Sequence, residues 1–151
     1  MKTVVQRVTR AEVGVGDEVV GKIGRGLVLL VGVEKGDGEA DADVTARKIA
    51  ALRIFPGRTP MDVTAAEARG ACLVVSQFTL CATLAKGNRP SFEPAEAPAR
   101  AEALYLRVAD GLRAAGLPVE TGRFAADMAV ELVNDGPVTF IVTVRGGRLV
   151  E

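Results

Sequence analysis

Apolar and polar residues alternate along Thr3–Val8, the period-two pattern of a half-buried strand, which sets Gln6 and Arg7 on opposite faces. Two more alternating stretches, Ala11–Val15 and Val19–Ile23, flank Gly16-Asp17-Glu18 and predict a hairpin. Gly24-Arg25-Gly26 then breaks the chain before Leu27–Val33. That uninterrupted apolar run predicts a strand covered on both faces. After the polar loop Glu34–Gly38, a helix is predicted from Ala40 to Leu52. Thr45, Ile49 and Leu52 form its inward stripe, and Asp41 and Asp43 suit its positive N-terminal end. Arg53–Phe55 reads as a short strand stopped by Pro56-Gly57, and Arg58–Gly70 as loop.

Ala71–Ser76 reads as another buried strand, running into Gln77–Cys81 and then a polar loop, Ala82–Pro90. A second helix is predicted over Glu96–Ala115, with Ala101, Leu104, Val108 and Leu112 on one face and Gly116 and Pro118 as its stop. Strands return at Val119–Thr121, Met128–Val133 and Val138–Val144, the last two separated by Asn134-Asp135-Gly136-Pro137. Many strands and two main helices without regular alternation give an α+β fold rather than a doubly wound nucleotide fold. Gly24-Arg25-Gly26 lacks the third glycine of a dinucleotide loop and precedes a strand.

The length of 151 residues is that of one domain spanning 1–151. Hydrophobic residues at 48% and charged residues at 25% fit a compact core. The run of roughly 20 apolar residues that a membrane span needs is absent, and the first ten residues lack a signal-peptide pattern. A cytoplasmic location and no membrane partner are expected. Nineteen basic residues balance nineteen acidic ones, so any contact with RNA must come from a local patch.

The chain has no histidine, which excludes a Ser-His-Asp or Cys-His site and disfavours a zinc centre. No metal and no cofactor are expected. Cys72 and Cys81 lie too far apart for a CxxC motif and read as free thiols.

Three segments could carry chemistry. Ser76-Gln77-Phe78-Thr79-Leu80-Cys81 gathers two hydroxyls and an amide where a strand ends, and peptide N–H groups there could hold an oxyanion. Spacing alone equally describes an ordinary strand end. Asn134-Asp135-Gly136-Pro137-Val138-Thr139 is turn chemistry by composition. Its functional reading is that Gly136 and Pro137 present main-chain atoms to a ligand. Lys86-Gly87-Asn88-Arg89-Pro90-Ser91-Phe92 is a solvated loop, or a loop whose Lys86 and Arg89 grip phosphate.

Taken together and in order, these segments resemble the D-aminoacyl-tRNA deacylase family, also called D-tyrosyl-tRNA deacylase. The resemblance runs from Met1 to about Val144: VVQRVTRAEV, VGVEKGD at Val31–Asp37, LRIF at Leu52–Phe55 and VVSQFTL at Val74–Leu80. It continues through KGNRPSF, VETGRFAADM at Val119–Met128 and LVNDGPVT at Leu132–Thr139.

The resemblance implies a three-layer β-β-α arrangement of two sheets and helices, and hydrolysis of the ester joining a D-amino acid to the 3′ end of tRNA. It further implies a homodimer with the active site at the subunit interface, where Ser76, Gln77, Phe78 and Thr79 of one subunit meet Gly136 and Pro137 of the other. In the family the Gly-Pro bond is cis and its carbonyl faces the pocket. Arg7 matches the arginine that holds this geometry, and Phe124 and Met128 match pocket-lining positions. Such a main-chain filter would reject L-esters and pass glycyl-tRNA. DNA is not an expected partner.

Cys81 stands where the family usually has tyrosine, Ala125 where glycine is common, and Arg145–Glu151 runs past the usual end. Two alternative readings are a paralogous L-alanyl-tRNA(Thr) deacylase and a non-catalytic nucleic-acid-binding module on the same fold. Ser76, Phe78 and Val138 side with the D-specific group rather than the paralogue. A peptide-cleaving D-aminopeptidase would have to break an amide without metal, histidine or activated nucleophile.

Overall fold

The computed structural model describes residues 1–151. The sheet is mixed and has seven strands: β1 (Lys2–Val15), β2 (Glu18–Ile23), β3 (Gly26–Gly32), β4 (Ala71–Ser76), β5 (Val119–Thr121), β6 (Ala129–Arg145) and β7 (Arg148–Val150). Two helices, α1 (Glu39–Ala51) and α2 (Pro98–Ala114), join it, making the fold α+β. The spatial order is β5-β4-β3-β1-β6-β7, with β2 on β1. β3, β4 and β5 run parallel; the other pairs are antiparallel.

β1 generates the layering. Its first half pairs with β3 over Lys2–Val8, its second half with β2 over Ala11–Val15, and its other edge with β6 along nearly its whole length. The chain therefore builds two β layers from one continuous sheet. On one face of β3 and β4, Leu27, Leu29, Val31, Cys72 and Val74 meet Ala46 and Ile49 of α1 and Leu104, Val108 and Leu112 of α2. On the opposite face, Val28, Leu73 and Val75 meet Val8, Ala11 and Val13 of β1 and Ile23 of β2. The order is thus β-β-α, and the apolar run Leu27–Val33 is covered on both sides as its pattern predicts. A fully buried side chain of this kind contributes roughly 1.5–3 kcal/mol.

Three boundaries differ from the sequence reading. β1 is one strand, because β6 supplies partners across the break expected after Val8. Arg53–Phe55 is not a strand: Phe55 makes only an isolated pairing with Val63. Met128–Val133 and Val138–Val144 fuse into β6, since Asn134 bridges the interruption with its side chain. The Asn134 Oδ1 accepts the Val138 N–H (2.7 Å), and its Nδ2 donates to Val138 O (3.3 Å) and Thr139 Oγ1 (2.9 Å). The tail beyond Val144 turns at Gly146-Gly147 and adds β7.

A charge cluster around the buried amino terminus ties the start of β1 and the end of β6 to the loop that precedes α1. The Met1 ammonium donates to Asp37 Oδ1 (2.8 Å) and Val144 O (2.8 Å). Glu34 lies 3.7 Å from that ammonium, 3.2 Å from Lys2 Nζ and 3.7 Å from Arg145 Nε. Burial pushes the Glu34 carboxyl up, but the hydrogen bond from Lys2 and the charges of the amino terminus and Arg145 outweigh it and hold it below its usual range. A carboxyl depressed in the folded state stabilises fully above its ordinary value, and that stabilisation is lost as pH falls through the folded value. Denaturant midpoints are therefore expected to fall as pH drops below about 4.5, and Glu34→Gln to flatten that part of the profile. An unchanged acid limb in Glu34→Gln would count against this cluster.

Candidate active site

β4 delivers its polar end where the helix layer and the outer β layer diverge. After Ser76 the chain leaves the sheet, with the Gln77 N–H still bonded to Val31 O (2.8 Å), and winds into a 3-10 turn over Phe78–Cys81. Gly32 on β3 permits this turn. A Cβ there would lie 2.9 Å from Leu80 Cβ, 3.1 Å from Gln77 O and 3.2 Å from Cys81 Sγ. The first bond that closes the turn is Leu80 N–H to Gln77 O (3.2 Å). The N–H groups of Phe78 and Thr79 precede it, so the turn itself does not use them.

Beside this turn lies a cleft of about 440 Å³, within the range of small-ligand sites. Val75, Ser76, Gln77 and Phe78 form one wall, and Phe124, Ala125, Ala126, Met128 and Val130 another. The third wall is Val33 with Ala95, Glu96, Pro98 and Ala101 around the start of α2. Phe124 is braced by a stacked contact with Tyr105 of α2, with ring centroids 5.8 Å apart. Ala125 sits at φ +62°, a left-handed conformation that costs an alanine some strain.

Of the residues singled out from sequence, Ser76, Gln77, Phe78, Phe124 and Met128 converge on this cleft. Thr79 is exposed at its edge and its hydroxyl accepts a short hydrogen bond from the Gln77 amide. Cys81 does not reach the rim: it is buried, and its thiol points to Val33 O (3.4 Å). Burial pushes that thiol up, and Cys72 up to about 12, so both stay protonated.

Arg7, Gly136 and Pro137 lie apart from the cleft of their own chain. The step from Gln6 to Val8 on β1 spans Asn134 to Thr139 on β6, a large bulge. Arg7 holds it from beneath, donating to Asp135 O (2.9 Å) and to Ile54 O (2.8 Å). Gly136 and Pro137 are exposed at its crest, joined by a cis peptide bond. Gly136 has φ +152°, and a Cβ there would meet Val138 N at 2.7 Å. Lys86 and Arg89 are exposed on the loop that follows the 3-10 turn.

The sequence reading missed the α2 side of the cleft. Ala95, Pro98 and Ala101 contribute space rather than functional groups, and only Pro98, a proline at a helix start, signals that a helix end lies there. Glu96 is the charged lining residue; its carboxylate accepts the Ala97 N–H (2.8 Å) and faces Arg100 Nε at 3.5 Å.

An apolar cleft with a polar strand terminus and unshared peptide N–H groups has the chemistry to bind and polarise an acyl group. No cluster of three or more His, Cys, Asp or Glu side chains that could hold a metal is present. The chain belongs to the D-Tyr-tRNA(Tyr) deacylase family, which matches residues 4–143. It is 56% identical over 140 residues to a D-aminoacyl-tRNA deacylase of Paracoccus denitrificans, covering 92% of this chain and 94% of that one. A D-aminoacyl-tRNA deacylase of Anaeromyxobacter dehalogenans is 56% identical over 146 residues, covering 96% and 98%.

Among solved structures, a c-Myc DNA unwinding element binding protein superposes with a TM-score of 0.89 at 38% identity, covering 97% of this chain and 100% of that one. A probable eukaryotic D-amino acid tRNA deacylase gives 0.77 at 18% identity, a likeness of fold, covering 93% and 97%.

Gly32→Ala is expected to push the 3-10 turn off β3. A stability loss of about 1–3 kcal/mol should follow, as for other overpacked sites. Amide shifts in a heteronuclear NMR spectrum should concentrate on Gln77–Cys81; shifts spread evenly over the sheet would argue against this contact as the seat of the turn.

Proposed function

We propose that this protein hydrolyses the ester bond of D-aminoacyl-tRNA, and of glycyl-tRNA, releasing the amino acid and tRNA in the cytoplasm. The observation that carries the reading is the cleft itself: its chemistry-bearing wall, Ser76–Phe78, lies in a chain more than half identical to D-aminoacyl-tRNA deacylases along nearly its full length.

An aminoacyl ester is already activated, so positioning and oxyanion stabilisation suffice for turnover. The N–H groups of Phe78 and Thr79 take the oxyanion role. Water adds to the ester carbonyl, the neighbouring ribose 2′-hydroxyl relays the proton, and the 3′-oxygen leaves protonated as the acyl C–O bond breaks. Thr79 is a poor nucleophile. Its hydroxyl is engaged by the Gln77 amide, and no histidine exists to deprotonate it.

The active unit is a homodimer in which the Gly136-Pro137 crest of one subunit closes the cleft of the other. Two features support this. The crest is exposed yet rigidly held by Arg7 and Asn134. Beside it, β6 and β7 expose Ile141 and Val150 on one side of the sheet and Phe140 and Leu149 on the other, open apolar surface of the kind that subunit contacts cover. A main-chain wall opposite the Cα of the ester leaves room for hydrogen but not for an L side chain. It ignores side-chain identity, so many D-amino acids, and glycine, pass. Lys86 and Arg89 hold backbone phosphates of the tRNA end.

A second reading, a nucleic-acid-binding module without catalysis, is favoured by the name of the structural relative that binds a DNA unwinding element. Strong salt-dependent binding without ester hydrolysis would select it.

Purified protein should deacylate D-tyrosyl-tRNA rapidly and spare L-tyrosyl-tRNA. Gly136→Ala, whose Cβ collides with Val138, should lower the D-specific rate at least about tenfold, equivalent to about 1.4 kcal/mol in the barrier. Equal inertness toward both esters would discard the deacylase reading. For the mechanism, Thr79→Ala is expected to lower kcat by less than about tenfold, whereas a 2′-deoxy terminal adenosine should lower it by about a hundredfold or more, within the range of a positioned proton relay. Loss of turnover in Thr79→Ala with normal tRNA affinity would restore Thr79 as nucleophile.

A further inference from the structure

The chain holds only five phenylalanines and one tyrosine, and it places two of the phenylalanines together in solvent. Phe55 is fully buried, and Phe124 lies stacked on Tyr105. Phe78 and Phe92, by contrast, are 54% and 41% exposed, and meet edge to face with centroids 5.0 Å apart and planes at 66°. Phe78 is also a wall of the cleft, so the pair forms its outer lip.

This pairing is built, not incidental. Thr83 and Ser91 exchange both backbone hydrogen bonds (2.9 and 3.0 Å), closing the intervening loop as a small hairpin. The Ala95 N–H bonds to Phe92 O (3.0 Å), fixing the chain on the other side of the ring. The hairpin carries Leu84, 71% exposed, and lifts Lys86 and Arg89 into solvent, where neither forms a salt bridge. An exposed aromatic surface beside unneutralised cations, continuous with a cleft that takes one small group, is the chemistry of a single-stranded nucleic-acid track. A protein partner would be expected to meet a broad apolar face; the aromatic surface here is two rings wide.

We propose that the Phe78–Phe92 pair is a stacking platform for the unpaired cytidine that precedes the terminal adenosine of the CCA end, with Lys86 and Arg89 on its flanking phosphates. This rests on the tRNA 3′ end being the substrate. The ester occupies the cleft, and the strand leaves over the lip. Stacking depends on the π face of the base and not on its edge, so the platform grips the one segment common to all tRNAs without selecting among them.

Direct binding of uncharged RNA tests the platform independently of turnover. One fluorescent acceptor-stem hairpin ends in unpaired CCA; a second stops at the base before it. The wild type should prefer the first. Phe92→Leu, which keeps apolar packing but removes the ring, should weaken CCA-ended binding about tenfold and leave the truncated hairpin within about twofold, while Phe92→Tyr restores affinity. The double variant Lys86→Ala/Arg89→Ala should reduce the salt slope of CCA-ended binding by about 1.4, the value for two single-strand phosphates.

Three results would overturn the platform: no preference for CCA in the wild type, equal weakening on both hairpins in Phe92→Leu, or a change in oligomeric state with RNA affinity intact. Hydrolysis of D-tyrosyl-tRNA by the wild type reports separately on the deacylase reading.

Discussion

The constraint from which the architecture follows is that Leu27–Val33 cannot be left open to water on either face. A strand with Leu27, Leu29 and Val31 on one side and Val28 on the other needs two apolar covers. The helices supply one. The other must come from β strands already committed to the same sheet, and β1 makes that possible by handing its pairing from β3 to β2 midway along its length. Two layers of strand and one of helix are the outcome. They part company at the end of β4, because β5 is short and the loop Gly122–Met128 has to cross back to β6. The cleft is the gap left at that parting, which is why its walls come from both β layers and from the start of α2.

A second constraint operates in the β1–β6 ribbon. Two long antiparallel strands would ordinarily keep one-to-one pairing along their length, yet opposite Arg7, between Gln6 and Val8, β6 carries a bulge that projects Gly136 and Pro137. Proline has no N–H to give to the ladder, and bulges are where strands tolerate it. Arg7 and Asn134 answer the need from opposite sides of the ribbon, one with a guanidinium beneath the Asp135 carbonyl, the other with an amide standing in for the missing ladder bonds. The crest is therefore tied to the sheet by side-chain hydrogen bonds, although its residues lie in solvent.

Much of this was legible in the sequence, and the exceptions have physical causes. Periodicity located both helices and the doubly buried strand, because those patterns report burial directly. It divided β1 and β6 into pieces, because whether a break in alternation ends a strand depends on partners elsewhere. Asn134-Asp135-Gly136-Pro137 has the composition of a turn, and only the Asn134 hydrogen bonds keep it within a strand. Ser76–Phe78, Phe124 and Met128, far apart in sequence, line one cleft. Ala95, Pro98 and Ala101 were invisible because a wall that contributes by being small leaves no chemical signature. Cys81 closely follows the exposed Phe78 and Thr79 in sequence, yet the 3-10 turn rotates it inward against Val33.

Asn134 shows how strictly a strand interior can specify an atom. Its side chain accepts one hydrogen bond and donates two, and the two donations go to oxygen atoms, Val138 O and Thr139 Oγ1. Aspartate has nearly the same volume and would still accept the Val138 N–H, but it would set a second oxygen against a carbonyl oxygen where a donor is required. The neighbours Asn134 and Asp135 are thus not interchangeable despite being near-isosteres. Exchanging that single nitrogen for oxygen, with almost no change of volume, would convert a clasp into a repulsion, so the form of the bulge depends on one donor atom.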